Sequence, residues 1–168
     1  MCLEPNLADR RVGLGTVYWQ SGDWTHAQTE LKKALELSPG SATAAYEIGD
    51  SYLQQHQWQD GTEYLQGALG DPATERKARL DLAKALDELG KRNEAIQELT
   101  LLAKDHPDGE IHHRLAMAYR EHGDTANAQG ALAASEALRK ASDRLSVEQL
   151  EGLQREASDA QNPDVPHK

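Results

Sequence analysis

Apolar side chains recur along this chain at a spacing much longer than a helical turn. Leu14-Gly15-Thr16-Val17-Tyr18 is echoed 34 residues on by Ile48-Gly49-Asp50-Ser51-Tyr52, and the same offset takes Leu31 to Leu65 and Ala34 to Ala68. A further 34 residues carries Ile48 to Leu82, Gly49 to Ala83 and Tyr52 to Leu86, and a step of 33 reaches Leu115, Ala116 and Tyr119. The punctuation recurs in register. Gly22, Gly90 and Gly123 share one slot, with His56 in the same place in the second unit. Pro39 and Pro107 share another, and Pro72 falls one residue early. Glycine supplies the left-handed residue that ends a helix, and proline cannot continue one. Each unit therefore predicts a helix that stops at glycine and a second that stops at proline. Small residues mark where the two helices of a pair approach: Gly15 and Gly49 on the first, Ala27, Gly61, Ala95 and Ala128 on the second. The units fall at about 8–41, 42–75, 76–108 and 109–142.

Composition agrees with helices. The chain has 24 Ala and 22 Leu against 4 Val, 3 Ile, 8 Thr and no Phe. Alanine and leucine favour helix, whereas strands draw on β-branched and aromatic residues. The formal net charge of -10 argues against nucleic acid or an anionic membrane as partner, because both call for a basic patch. The only basic runs are pairs such as Arg10-Arg11 and Lys32-Lys33.

The repeat resembles the tetratricopeptide repeat, a 34-residue helix–turn–helix unit with a W-x2-L-G-x2-Y, Gly, Ala, Tyr/Phe, Ala, Pro signature. The resemblance covers the four units. It implies an all-α, right-handed solenoid in which each unit buries its apolar face only by stacking on the next. There are departures: the Trp slot holds Arg11, Ala45, Arg79 and His112. Gly61 and Gly67 lie inside the second helix of the second unit. Each costs about 1 kcal/mol relative to Ala, which makes that helix the softest. In the fourth unit Lys140 stands where the closing proline would be, so its second helix need not stop on schedule.

The resemblance also implies a function, a non-catalytic scaffold that holds a peptide or helix of a partner protein in its concave groove. The alternative is a structural or oligomerising segment without a groove ligand. The groove-lining positions of the family place Val12 and Trp19 in the first unit and Tyr46, Asp50 and Leu53 in the second. They place Lys84 in the third unit and His113 and Arg120 in the fourth. The expected ligand seats on Trp19, Tyr46 and Leu53, with Asp50 as its polar anchor. The carboxylate clamp that some tetratricopeptide proteins use for chaperone tails is disfavoured. Its lysine and asparagine positions hold Val12, Thr16, Asp50 and Leu80, and only Lys84 has the right charge. Trp24 and Trp58 read as structural closures of the inter-helix turn.

Pro5 lies 34 residues before Pro39 and Leu3 lies 34 before Leu37, so residues 1–7 read as the tail of a preceding unit of a longer protein. That leaves the outer edge of the first unit uncapped, with Val12, Leu14 and Val17 on it. Two such edges meeting in a two-fold contact would give a homodimer. At the other end Ser146-Val147-Glu148-Gln149 matches a capping box, with Leu145 and Leu150 as its hydrophobic staple. This predicts a separate capping helix over 143–158 and a disordered tail over 159–168. No signal-peptide pattern is visible, which leaves the compartment open between cytoplasm and periplasm.

Chemistry is sparse. The single cysteine, Cys2, rules out an internal disulfide and a multi-cysteine metal site. There is no phosphate-binding loop, zinc helix or nucleophile elbow. Adjacent helical residues point about 100° apart, so His112 and His113 are poorly placed to share a metal. The expectation is no catalytic residue, no metal and no cofactor.

Overall fold

A computed structural model describes residues 7–105 and 108–161, with side chains to residue 153. It contains α1 (Leu7–Gln20), α2 (Trp24–Leu37), α3 (Ala42–Gln54), α4 (Trp58–Gly67), α5 (Glu75–Glu88), α6 (Arg92–Asp105), α7 (Gly109–Glu121) and α8 (Thr125–Gln161). No strand occurs among the described residues. The protein is an all-α solenoid of helix pairs, in which each helix packs on its sequence neighbours. Beyond these, among the described residues, only α1 with α3 and α3 with α5 approach each other.

The turns within pairs share one chemistry. Gly22, His56, Gly90 and Gly123 all have positive φ. After α1, the Asp23 N–H donates to the Tyr18 carbonyl at 2.9 Å and the Gly22 N–H to the Trp19 carbonyl at 3.1 Å. The same two bonds follow α3, α5 and α7, onto Tyr52 and Leu53, Leu86 and Asp87, and Tyr119 and Arg120. This is the Schellman closure, which satisfies carbonyls that a helix end leaves without partners. His56 makes it at φ +59 without being glycine.

The small residues do what their spacing predicts. A Cβ built on Gly15 would lie 2.5 Å from Leu31 Cγ, and one on Gly49 would lie 2.7 Å from Leu65 Cγ. Leu31, Ile48, Leu65, Leu82, Leu102 and Ile111 are fully enclosed. Burial of such a side chain contributes about 1.5–3 kcal/mol. The core runs along the stack as three overlapping clusters, from Ala27, Leu31, Ala44 and Ile48 at one end to Leu99, Ile111, Leu115 and Ala131 at the other.

The C-terminal end differs from expectation. There is no separate capping helix over 143–158, because α8 runs unbroken from Thr125 to Gln161. The Ser146 hydroxyl donates to the Ser142 carbonyl one turn back, as a mid-helix serine does, so no capping box forms. Leu145 and Leu150 are each 59% exposed and make no staple. The physical reason is the absence of a breaker: with Lys140 in the proline slot, residues of good helix propensity simply continue. The proposed N-terminal remnant lies, apart from Leu7, outside the described residues, and so does the tail from residue 162. Residues 159–161 belong to α8.

Candidate functional site

The first helices of the four pairs, α1, α3, α5 and α7, carry every residue expected to line the groove. In the first half of the molecule those residues turn to one another. The Thr16 hydroxyl donates to both Glu47 oxygens at 2.9 and 2.8 Å. The Trp19 indole N–H donates to Asp50 Oδ2 at 2.6 Å, while Gln54 Nε2 donates to Asp50 Oδ1 at 3.0 Å. The Tyr46 hydroxyl donates to Asp81 Oδ2 at 3.1 Å, and the rings of Trp19 and Tyr46 meet edge to face, 6.3 Å apart. A ladder of polar pairs thus ties α1 to α3 and α3 to α5.

The electrostatics of this ladder follow from its enclosure. Glu47 is buried, and desolvation pushes its pKa up, opposed by the Thr16 hydroxyl and reinforced by Asp50. Desolvation also raises Asp81, with Asp50 adding to it, against the hydrogen bond from Tyr46 and the charges of Lys84 and Arg114. Tyr46 is raised for the same reasons, burial first and then Asp81 and Asp50.

Two expected groove residues are placed differently. Leu53 is only 3% exposed and belongs to the central core. The cause is Gly61 on α4: a Cβ there would fall 2.1 Å from Leu53 Cδ1, so the missing methyl leaves the notch that Leu53 fills. Leu53 is therefore not a groove wall. Asp50 is 9% exposed with both oxygens engaged, so it is a fastener between α1 and α3 and not an open anchor. Trp19, Tyr46 and Val12 are half-buried and pack against core clusters. Trp58 packs on the central core, with the Lys84 ammonium over its ring at 5.7 Å.

The second half is open. Among the described residues α5 and α7 have no backbone approach of the kind that joins α1 to α3 and α3 to α5. The gap is a cavity of about 240 Å³. Leu80, Leu99 and Met117 contribute to its apolar floor, and Lys84, Asp87, His113, Arg114 and Glu121 also line it. His113 also lines a neighbouring cavity of about 690 Å³ between the start of α7 and the middle of α8. The structure thus brings Lys84 and His113 to one groove. Arg120 is exposed on α7 but does not line either cavity. Arg114, which sequence reasoning passed over, lines the groove one residue beyond a family lining position, and no sequence signal marks it.

Two family models described as tetratricopeptide repeat match the chain, over residues 12–76 and 52–119. The chain belongs to the tetratricopeptide repeat family. These tetratricopeptide repeats build a protein–protein interaction scaffold, and that general function comes with the family. No curated protein matches by sequence. Among solved structures, a crystal structure of MamA is similar with a TM-score of 0.76 and 22% identity, covering 84% of this chain and 83% of that one. MamA 41-end from Desulfovibrio magneticus RS-1 is similar with a TM-score of 0.72 and 20% identity, covering 81% of this chain and 77% of that one. Likeness at this level of identity concerns the fold. No helix among the described residues is long and apolar enough to cross a membrane.

Proposed function

We propose that this tetratricopeptide protein is a non-catalytic scaffold whose concave groove binds a segment of a partner protein between α5 and α7. The observation that carries this reading is the contrast between the two halves of the concave face. The aromatic half spends its polar groups on internal hydrogen bonds, whereas the α5–α7 seam leaves Leu80 and Met117 beside the polar Lys84 and His113 and beside Arg114, which pairs with Glu110 at 3.0 Å. An apolar floor with a few orienting polar groups is the usual form of a recognition site. The segment that fits places one large apolar side chain on Leu80 and Met117, flanked by charges of both signs to meet Lys84 and Asp87 on α5 and Arg114 and Glu121 on α7. Trp19 and Tyr46 act through the fold, by fixing α1 against α3 and α3 against α5.

The test is retention of partners from a lysate of the source organism by the wild type, a Leu80→Asp/Met117→Asp variant and a Trp19→Phe variant, all checked for equal helicity. The expected outcome is loss of partners in the first variant and retention in the second. Equal retention by all three would move the site elsewhere. No retention by any would favour the structural segment, a reading already supported by the exposure of Leu14 and Val17 at the first edge.

A further inference from the structure

Among the described residues, single large apolar side chains are exposed on α2 and α6, Leu37 at 50% and Leu101 at 44%, but several are exposed together only on the first and last helices. On α1 the exposed residues are Leu7 at 54%, Leu14 at 45% and Val17 at 61%. On α8 they are Leu145 at 59%, Val147 at 53%, Leu150 at 59% and Leu153 at 63%.

The repeat itself says what the α1 face is for. Leu14 and Val17 stand in register with Ile48 and Ser51 of α3, both 0% exposed, and with Leu82 and Ala85 of α5, at 2% and 0%. In α3 that face packs on Ala27 and Leu31 of α2, and in α5 it joins Leu65 of α4 and Ala68 at its C-cap. Each internal copy of this surface is thus covered by a helix from the preceding pair. On α1 the surface is formed, and larger than its copies at Val17, with no helix over it among the described residues.

The molecule also offers a helix without a bed. Ser135 Oγ donates to the Gly109 carbonyl, which sets the start of α7 level with the middle of α8. Residues 143–161 continue past it for about 28 Å at 1.5 Å per residue, and α1 with its 14 residues is about 21 Å long. The charges are opposite in sign. Residues 143–161 carry Asp143, Glu148, Glu151, Glu156 and Asp159 against Arg144 and Arg155, whereas α1 carries Arg10 and Arg11 against Asp9, with Arg11 also paired to Glu30 of α2 at 2.6 Å.

We propose that the projecting part of α8 of one copy docks on the open α1 face of another, taking the place a preceding helix takes inside the repeat. The contact is head to tail, so it leaves one free face at each end of every assembly and propagates unless the rotation closes a ring. It is independent of the α5–α7 groove.

The experiment is sedimentation of the full chain as wild type, as Leu14→Glu/Val17→Glu and as Leu150→Glu/Leu153→Glu. The substituted positions are exposed, and circular dichroism checks that helicity is unchanged. The expected result is a wild-type mass that climbs with concentration above the 18.5 kDa monomer. Each variant alone stays monomeric, and an equimolar mixture of the two forms a one-to-one dimer that stops there. Association of the α8 variant alone would mean that two α1 faces meet in a two-fold contact, and would overturn the proposal. Association of the α1 variant alone would mean that the α8 projections pair with each other or enter the groove, and would also overturn it. So would a monomeric wild type at high micromolar concentration. The Leu80→Asp/Met117→Asp variant should associate as the wild type does, which separates this outcome from the fate of the groove reading.

Discussion

His56 holds a left-handed backbone at φ +59 that the other three turns give to glycine. A side chain there costs about 1–2 kcal/mol, less for His than for a β-branched residue. Its ring meets Trp58 edge to face at 5.2 Å and recovers part of that. His56→Gly should therefore raise stability by about 0.5–1 kcal/mol, measured by urea denaturation; a loss of more than that would mean that the Trp58 contact outweighs the strain. The two glycines of α4 should answer to alanine with opposite signs. A Cβ on Gly67 would meet only Ala45 Cβ at 3.5 Å, an ordinary contact, so Gly67→Ala should gain about 0.5–1 kcal/mol of helix propensity. On Gly61 it would meet Leu53 Cδ1 at 2.1 Å and the Gly49 carbonyl oxygen at 3.1 Å, and backbone cannot yield cheaply, so Gly61→Ala should destabilise by about 1–3 kcal/mol. Glu47 and Asp81 add a pH dependence. Burial raises both above their reference values of 4.5 and 3.8, so the folded chain holds their protons more tightly than the unfolded chain does. Their cost to stability is therefore present in full above the folded pKa values and fades as pH falls through them. Glu47→Gln/Asp81→Asn, which keeps the acceptors for Thr16 and Tyr46, should melt higher than the wild type at about pH 7, with the gap narrowing as the pH is lowered. A gap that widens on acidification would contradict this account.

At the scale of elements, the helix pairs and their turns were legible because each rests on local sequence at a fixed offset, with Gly in the turn slot of three of the four units and Pro at or one residue before the closing slot of three. What was not legible depended on the absence of something. The end of α8 was misread because Ser146-Val147-Glu148-Gln149 has the letters of a capping box, yet a cap forms only where the preceding helix stops, and nothing between Thr125 and Ser146 stops it. The groove was misread at Leu53 for a similar reason. The residue type fits a lining position, but the notch left by Gly61 on another helix draws it inward, a fact about two helices that neither shows alone. The same two glycines bear on α4, whose 10 residues make it the shortest helix among the described residues and whose N-cap, Gln57, makes no side-chain cap bond. The amides of α4 should exchange with solvent faster than those of α6, which has 14 residues and no internal glycine. Equal or slower exchange would mean that its enclosure by Leu53 and Leu65 outweighs both its length and its composition.

At the scale of the whole molecule, each helix among the described residues touches only helices one or two places away along the chain, which makes the structure close to one-dimensional, and stability in such arrays is a sum of unit and interface contributions. A probe for this is built into the sequence. All three tryptophans, Trp19, Trp24 and Trp58, lie in α1, α2 and α4, so fluorescence reports the first half alone, while circular dichroism reports helices throughout. In the wild type the two signals should give one denaturation midpoint, because the core clusters overlap from α2 to α8. Leu65→Ala removes a fully enclosed side chain of the central core at a cost of about 2–5 kcal/mol. It should weaken the first half and uncouple it from the second, so that the fluorescence midpoint falls below the circular dichroism midpoint. Leu115→Ala, made in the last core cluster, should reverse the order, with helicity beginning to fall while the tryptophans still report a native environment. Coincident midpoints in both variants would mean that the four pairs fold as one indivisible unit, with coupling between neighbours stronger than the loss of a core leucine.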